Sequence, residues 1–360
     1  MMITPADENG LSETLERIAQ QMTRIRNEGL QETCPIGIID FGLWEWPQGV
    51  GLYGLWQYAM QSGSAEWRAT IRDWYAKRIA EGLPERNVNT TAPMLTLLHL
   101  AETEGNHEWL GLCRDWAEWI HREMPRTTEG GLQHIVSGHE NPQQLWDDTL
   151  FMTVLFLGKA GVTFKRQEWI DEAHYQFLIH IKYLADNATG LWFHGWTFDG
   201  RHNFAKALWG RGNCWITAGT YDFLEAVPAP QSIRRFLCAA VNAQVEALAR
   251  LQHPFGMWHT LLDDSSSYLE TSATAGIGYG ILKGIRLGHL DEKFLPVANR
   301  ALAAVLRQVD AQGVVQQVSY GTGMGGDLDY YRQIPLCPMA YGQALALLFL
   351  TEALHRPGAM

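Results

Sequence analysis

The chain has 360 residues, 46% of them hydrophobic and 19% charged, and a formal net charge of -11. That composition excludes a disordered chain, and no run reaches the roughly eighteen apolar residues of a membrane-spanning helix. The acidic balance excludes a nucleic-acid or anionic-membrane partner, since either requires a basic face.

The first ten residues, MMITPADENG, are polar and acidic and lack the basic and apolar regions of a secretory leader, so a cytoplasmic protein is expected. The cysteines Cys34, Cys113, Cys214, Cys238 and Cys337 are odd in number, far apart and without a CxxC, so they read as free thiols, most of them buried. Fifteen tryptophans are more flat aromatic surface than a core needs.

Apolar residues recurring at i, i+3, i+4 and i+7 predict twelve helices, at 12–28, 48–62, 64–81, 90–104, 107–124, 143–160, 166–186, 212–225, 231–251, 269–286, 291–309 and 339–354. Charged residues crowd the odd-numbered segments, as in AEWRATIRDWYAKRIAE, and are sparse in the even ones, as in MAYGQALALLFL. The even helices are therefore expected inside and the odd ones outside. Connections from odd to even run from 8 to 29 residues, those from even to odd from 1 to 5. Alternating outer and inner helices with short turns at one end describe an all-α (α/α)6 barrel, a single domain over residues 1–360. An open solenoid of hairpins is the alternative, but the internal repetition of a solenoid is missing. The long loops share one rim, at the amino-terminal ends of the inner helices, and that rim is the expected site.

Six tryptophans fall in those loops, Trp44, Trp46, Trp192, Trp196, Trp209 and Trp258, and Trp146 and Trp215 in the first turn of an inner helix. Any one of them can be core filling; as a group of eight they suit stacking on sugar faces. The segment QQLWDDTLFM puts Asp147 and Asp148 at the start of the sixth helix, where a capping role is the ordinary explanation. Neighbours on a helix point about 100° apart, so at most one faces the barrel axis. Asp148 lies at i+2 from Trp146 and four before Met152, and a carboxyl between indole and thioether would be poorly hydrated, hence a usable general acid near neutral pH. Arg211 in WGRGNCW, between Trp209 and Trp215, is placed to receive a carboxylate bidentately, or else to pair with a rim acid such as Asp147. His194 in LWFHGW and His134 in GGLQHIVSG are candidate hydroxyl-binding or proton-relay residues, although a lone loop histidine is more often polar surface.

Two rival patterns fail on spacing. A metal-binding DDxxD needs an Asp at position 151, which is Phe151, and Asp263 and Asp264 read as a turn. YGTGMGG (320–326) follows no strand and opens no helix, so it reads as a flexible rim loop, not a phosphate cradle.

In WEWPQGVGLYGL (44–55), NVNTTAP (87–93), LWDDTLFM (145–152), WFHGW (192–196), WGRGNCW (209–215), SYLETSATAGIGYG (267–280) and YGTGMG, nearly the whole chain resembles the unsaturated rhamnogalacturonyl hydrolases of glycoside hydrolase family 105. More distantly it resembles the unsaturated glucuronyl hydrolases of family 88. The resemblance implies an (α/α)6 barrel without metal or cofactor that hydrates the 4,5-unsaturated uronic acid at the non-reducing end of short, lyase-generated oligosaccharides, here most simply of pectin origin. It places the catalytic acid at Asp148 and substrate contacts at His194, Trp209, Arg211 and Trp215, with Trp46, His134, Trp146 and Met152 around them, and Arg211 is assigned to the uronate carboxylate. Several relatives carry a second active-site Asp near the start of the fourth helix, where this chain has Asn87 and Asn89; Asn89 could bind a hydroxyl but not act as an acid. Cys214 stands where glycine is expected, which would tighten the pocket. Two other readings remain: an N-acylglucosamine 2-epimerase-like isomerase, which needs paired histidines such as His134 and His194, and a carbohydrate-binding protein without turnover.

Overall fold

A helix that is apolar on every side must be surrounded by other helices, whereas one with a single apolar stripe can lie outside. The computed structural model of the chain describes residues 5–26 and 40–355 and sorts its helices on that rule. The inner helices are α2 (Trp46–Ser62), α4 (Val88–Glu104), α6 (Leu155–Thr163), α8 (Gly210–Ala226), α10 (Thr271–Arg286) and α13 (Ala340–Ala353). The outer ones are α1 (Pro5–Met22), α3 (Ala65–Glu81), α5 (His107–Arg122), α7 (Gln167–Leu184), α9 (Gln231–Leu251) and α11 (Leu295–Arg307), and α12 (Leu328–Arg332) is a single short turn within the last long connection. In α13 every residue from Ala340 to Glu352 is buried, while α9 buries one stripe that includes Leu237, Val241, Val245 and Leu248.

Each inner helix packs on the next, and α13 packs on α2, so the ring closes into an (α/α)6 barrel. The alternation of charge along the chain is thus the alternation of inside and outside. Of the first predicted helix, residues 27 and 28 lie outside the described residues, as does Cys34; Cys113 and Cys214 are buried free thiols and Cys238 a half-buried one.

Inner helices approach closely where a side chain is missing. A Cβ on Gly280 of α10 would lie 2.7 Å from the backbone carbonyl of Thr217 on α8. Backbone cannot yield as a side-chain tip can. Gly280→Ala is therefore expected to cost about 1–3 kcal/mol of stability, measured as a lowered denaturant midpoint, with activity per folded molecule unchanged.

The carboxy-terminal ends of the inner helices meet at the short-loop end, where Lys283 binds Asp222, Tyr279 donates to the same carboxylate at 2.6 Å, and Lys283 reaches Glu225 at 2.7 Å. The buried Lys283 ammonium is thus met by two carboxylates, although all of these contacts to Asp222 fall on Oδ1 and its Oδ2 is buried without a hydrogen bond.

At the long-loop end the structure corrects the sixth predicted helix. Residues Gln144–Trp146 form a strand, β1, paired antiparallel with β2 (Gly195–Thr197) so that Trp146 faces Gly195. The pairing holds residues 144–146 extended, and helical structure begins with a π-helical turn at Leu150–Val154 that runs into α6. A second ribbon, β3 (Trp258–His259) with β4 (Leu269–Glu270), likewise delays the start of α10 to Thr271.

Candidate active site

The long loops enclose a cavity of about 380 Å³ over the amino-terminal ends of the inner helices. Its wall includes Trp46, Asn89, His134, Trp146, Asp148, Trp209, Arg211 and Trp215, eight of the ten residues singled out from sequence. Met152 and His194 do not line it; both are buried behind it.

Asp148 occupies the turn between β1 and the π-helical turn, where its carbonyl accepts from the Met152 N–H at 2.9 Å. Its side chain is 17% exposed, and Oδ1 lies 3.4 Å from His134 Nδ1. The His134 ring stacks on Trp146 at 4.0 Å and 8°, and the same Nδ1 lies 2.7 Å from the Thr149 hydroxyl. Burial, with His194 and His180 nearby, holds the His134 imidazole well below its ordinary titration range, so the contact with Asp148 involves a neutral ring. Burial pushes Asp148 up to about 7, against the opposing pull of Arg211 and of the backbone N–H groups of Asp148 and Thr149. A carboxyl that titrates there can both give and take a proton at neutral pH.

Asp147 turns the other way, as neighbouring residues should. It is fully buried, its N–H donates to the His194 carbonyl at 3.0 Å, and its carboxyl lies against the first turn of α8, where a Cβ on Gly212 would come within 2.1 Å of Oδ2. Burial first, then the neighbouring Asp148, raises its titration well above the carboxylate range.

Arg211 lies inside the first turn of α8, one residue after Gly210, and not ahead of the helix. Its guanidinium stacks between Trp209 at 4.6 Å and Tyr341 at 4.9 Å. Its terminal nitrogens donate to the Ser319 carbonyl at 2.9 Å and hydroxyl, to the Tyr320 carbonyl at 2.9 Å and to the Thr322 hydroxyl at 2.6 Å. The fork is thus already engaged with residues 319–322, and Arg211 presents the cavity with positive charge more than with a free pair of donors. That segment is held from its other side by Glu270, which accepts the Ser319 N–H at 2.8 Å.

The aromatic lining is smaller than the predicted eight rings. Trp46, Trp146, Trp209 and Trp215 line the cavity, Trp46 stacking on Tyr341 at 4.6 Å. Trp44 and Trp258 are buried and spend their indole N–H groups on the Thr90 and Leu248 carbonyls, Trp192 is buried, and Trp196 stacks on Tyr183 away from the wall. Trp46 is the first residue of α2 and Trp215 lies in the second turn of α8. Cys214 turns its sulfur toward Gly276 of α10 and does not tighten the cavity.

His194 stands behind Trp146 and Trp209, its Nδ1 2.7 Å from the Tyr331 hydroxyl, and burial lowers it to about 3. It does not face His134 across the cavity, which removes the histidine pair that an epimerase requires. Asn87 is the N-cap of α4, its Oδ1 accepting from Thr90 N at 3.0 Å, which leaves Asn89 as the wall residue of that helix.

Sequence reasoning missed the outer wall: Val136, His139, Asn141, Phe204 and Tyr330, with Thr322 to Met324 from the glycine-rich segment it had placed at the rim. It also missed Glu45, the buried N-cap of α2, whose signal was an acid directly before Trp46 and Pro47. Among the described residues no three His, Cys, Asp or Glu side chains converge as metal ligands would. Likewise, no helix among them is long and apolar enough to cross a membrane.

Residues 16–356 match the family described as Glycosyl Hydrolase Family 88. The unsaturated rhamnogalacturonyl hydrolase YesR of Bacillus subtilis (strain 168) is 33% identical over 319 residues, 88% of this chain and 91% of YesR. A possible member of the GH105 family from Salmonella enterica serovar Paratyphi A is 47% identical with a TM-score of 0.92, over 96% of this chain and 93% of that one. A second possible GH105 member, from Klebsiella pneumoniae, is also 47% identical with a TM-score of 0.91, over 96% and 92% of the two chains.

Proposed function

This chain belongs to glycoside hydrolase family 88, and from that premise we propose that it is a glycosidase that removes the 4,5-unsaturated uronic acid from the non-reducing end of lyase-generated oligosaccharides, with pectin-type rhamnogalacturonan fragments preferred. The observation that carries the reading is a single carboxyl, Asp148, lifted to about 7 in a cavity walled by four indoles. Ordinary glycosidases use two spaced carboxyl groups as acid and nucleophile or base. Hydration of an enol ether needs one carboxyl that changes role.

In the proposed sequence protonated Asp148 delivers its proton to C4, and the double-bond electrons form the new C–H bond. The cation left at C5 is stabilised by the ring oxygen and takes up water, whose proton returns to Asp148. The resulting hemiketal opens to a ketone at C5, which makes C1 a hemiacetal, and its collapse to an aldehyde releases the remaining saccharide. Trp146 and His134 keep bulk water from the carboxyl, which holds its titration near neutrality. The Arg211 charge draws the uronate to the site by field and disfavours a permanently protonated Asp148. Asn89 contacts a sugar hydroxyl, and Trp46, Trp209 and Trp215 cover the sugar faces. The volume, at the low end for ligand pockets, suits a short saccharide. The whole ring acts as one catalytic domain, and free thiols at Cys113, Cys214 and Cys238 suit a cytoplasmic setting.

The substrate claim is tested with two unsaturated disaccharides, one with rhamnose and one with a glucosamine on the reducing side. kcat/KM is expected to favour the rhamnose disaccharide by about tenfold or more, a difference of ~1.4 kcal/mol. Equal or reversed values would assign the chain to a glucuronyl-type substrate.

A further inference from the structure

The cavity has a floor and a mouth. Among its lining residues Arg211, Trp209 and Trp215 are buried, whereas His139 and Tyr330 are exposed, and Phe204 is half-buried on the same wall. Backbone on the mouth side departs from the ordinary regions. Asn141 and Phe204 line the cavity with φ of 42° and 51°, and Gln143 and Lys206 near them in sequence have φ of 59° and 54°. Asparagine visits the left-handed region at little cost, but a bulky ring does so only under constraint.

The constraint on Phe204 is a mesh of hydrogen bonds. Its N–H donates to His202 Nδ1 at 3.0 Å, and the Lys206 N–H donates to the Asn203 carbonyl at 2.8 Å. The Asn203 amide donates in turn to the Tyr183 and Gly195 carbonyls, each at 3.1 Å, which ties the segment to the end of α7 and to β2. The Phe204 ring meets the His202 ring at 5.5 Å and 80°. Among the described residues it neither belongs to the hydrophobic core nor packs against it. Strain held in this way, on a side chain that adds nothing to the core, points to a role in binding.

With the unsaturated uronate at Asp148 and Arg211, the rest of the saccharide leaves through the mouth. We propose that Phe204 is the specificity-determining residue for the reducing side, an aromatic surface on which the apolar C–H face of the second sugar rests. The constrained backbone presents the ring before substrate arrives, so the contact forms without first ordering a loop. The identity of the ligand rests on the hydrolase reading; the placement of the ring does not.

The test compares the unsaturated rhamnose disaccharide with the methyl glycoside of the same unsaturated uronic acid, which has no second sugar. Phe204→Ala is expected to raise KM for the disaccharide roughly three- to tenfold, with kcat within about twofold. The wild-type preference for the disaccharide over the methyl glycoside should shrink by the same factor. Phe204→Tyr keeps the ring and should hold KM within about twofold of the wild type. Because the ring supports no core, Phe204→Ala should melt within about 2 °C of the wild type, and Phe204→Gly, which accepts the left-handed backbone, about 1–3 °C above it. An undiminished preference in Phe204→Ala would overturn the proposal. So would a lowered melting temperature with equal losses on both compounds, which would mark Phe204 as a loop anchor. Calorimetric dissociation constants of the disaccharide for Asp148→Asn, with and without Phe204→Ala, should differ by the same three- to tenfold, roughly. If the wild type turns over neither compound the hydrolase reading fails, and these constants still decide the proposal: equal values, or no binding to either protein, overturn it.

Discussion

Asp148→Asn is expected to lower kcat by about 10²–10⁴ or more, because the amide can neither give a proton to C4 nor take one from water. The same substitution is expected to raise the melting temperature at alkaline pH. The Asp148 carboxyl moves from an ordinary 3.8 to about 7 on folding, so the native state binds its proton more tightly than the unfolded chain. Its contribution to stability is fully present below about pH 4 and is lost as pH rises through about 7. At pH 8 the neutral amide removes that penalty, and a rise of roughly 2–4 °C is expected, with no gain at pH 4. An inactive variant that melts lower at pH 8 would mean that Asp148 is held by contacts other than those seen. Retained turnover would move the acid elsewhere, to Asp147 first.

The second large effect is at Arg211. Arg211→Ala removes four hydrogen bonds from a buried charged donor and its stacking between Trp209 and Tyr341, while the Ser319 and Tyr320 carbonyls keep the Tyr341 and Thr322 hydroxyls as donors. A loss of about 3–5 kcal/mol is expected, with collapse of the wall at 319–322. Arg211 also opposes the upward shift of Asp148, so its removal should carry the alkaline limb of kcat/KM above the wild-type value of about 7. Arg211→Lys separates the two roles. It keeps the charge and loses the planar fork, so its melting temperature should fall while its limb stays near that of the wild type. A limb that moves equally in both variants would show that charge is not what Arg211 supplies to Asp148.

Much of the architecture is legible in the sequence because the physics behind it is summed over whole helices. Segments such as APMLTLLHLA and AEWRATIRDWYAKRIAE differ in charge along their full length, and connection lengths separate one rim from the other. Asp148 is legible because it falls between tryptophan and the start of an inner helix at that rim. What the sequence leaves closed depends on contacts between distant segments. The pairing of Gln144–Trp146 with Gly195–Thr197 turns a predicted helical turn into a strand and moves Met152 behind the wall. The Arg211 side chain points where charge and neighbouring indoles lead one to expect, but its donors are taken by Ser319, Tyr320 and Thr322, more than a hundred residues away in sequence. Trp192 and Trp258 cannot be told from Trp209 and Trp215 by position alone, since a loop on the rim can fold its ring into the core. Glu45 escapes for the same reason: its partner Ser137 is adjacent only in the folded chain.

The central claim is that one carboxyl hydrates a carbon–carbon double bond. It is tested most directly by incubating wild-type protein and Asp148→Asn with the unsaturated rhamnose disaccharide and following the ultraviolet absorbance of the conjugated enol ether. The absorbance is expected to disappear with the wild type as rhamnose is released, and to persist with the variant. Release of rhamnose by the wild type with the absorbance intact would mean direct displacement at C1 and would contradict the account.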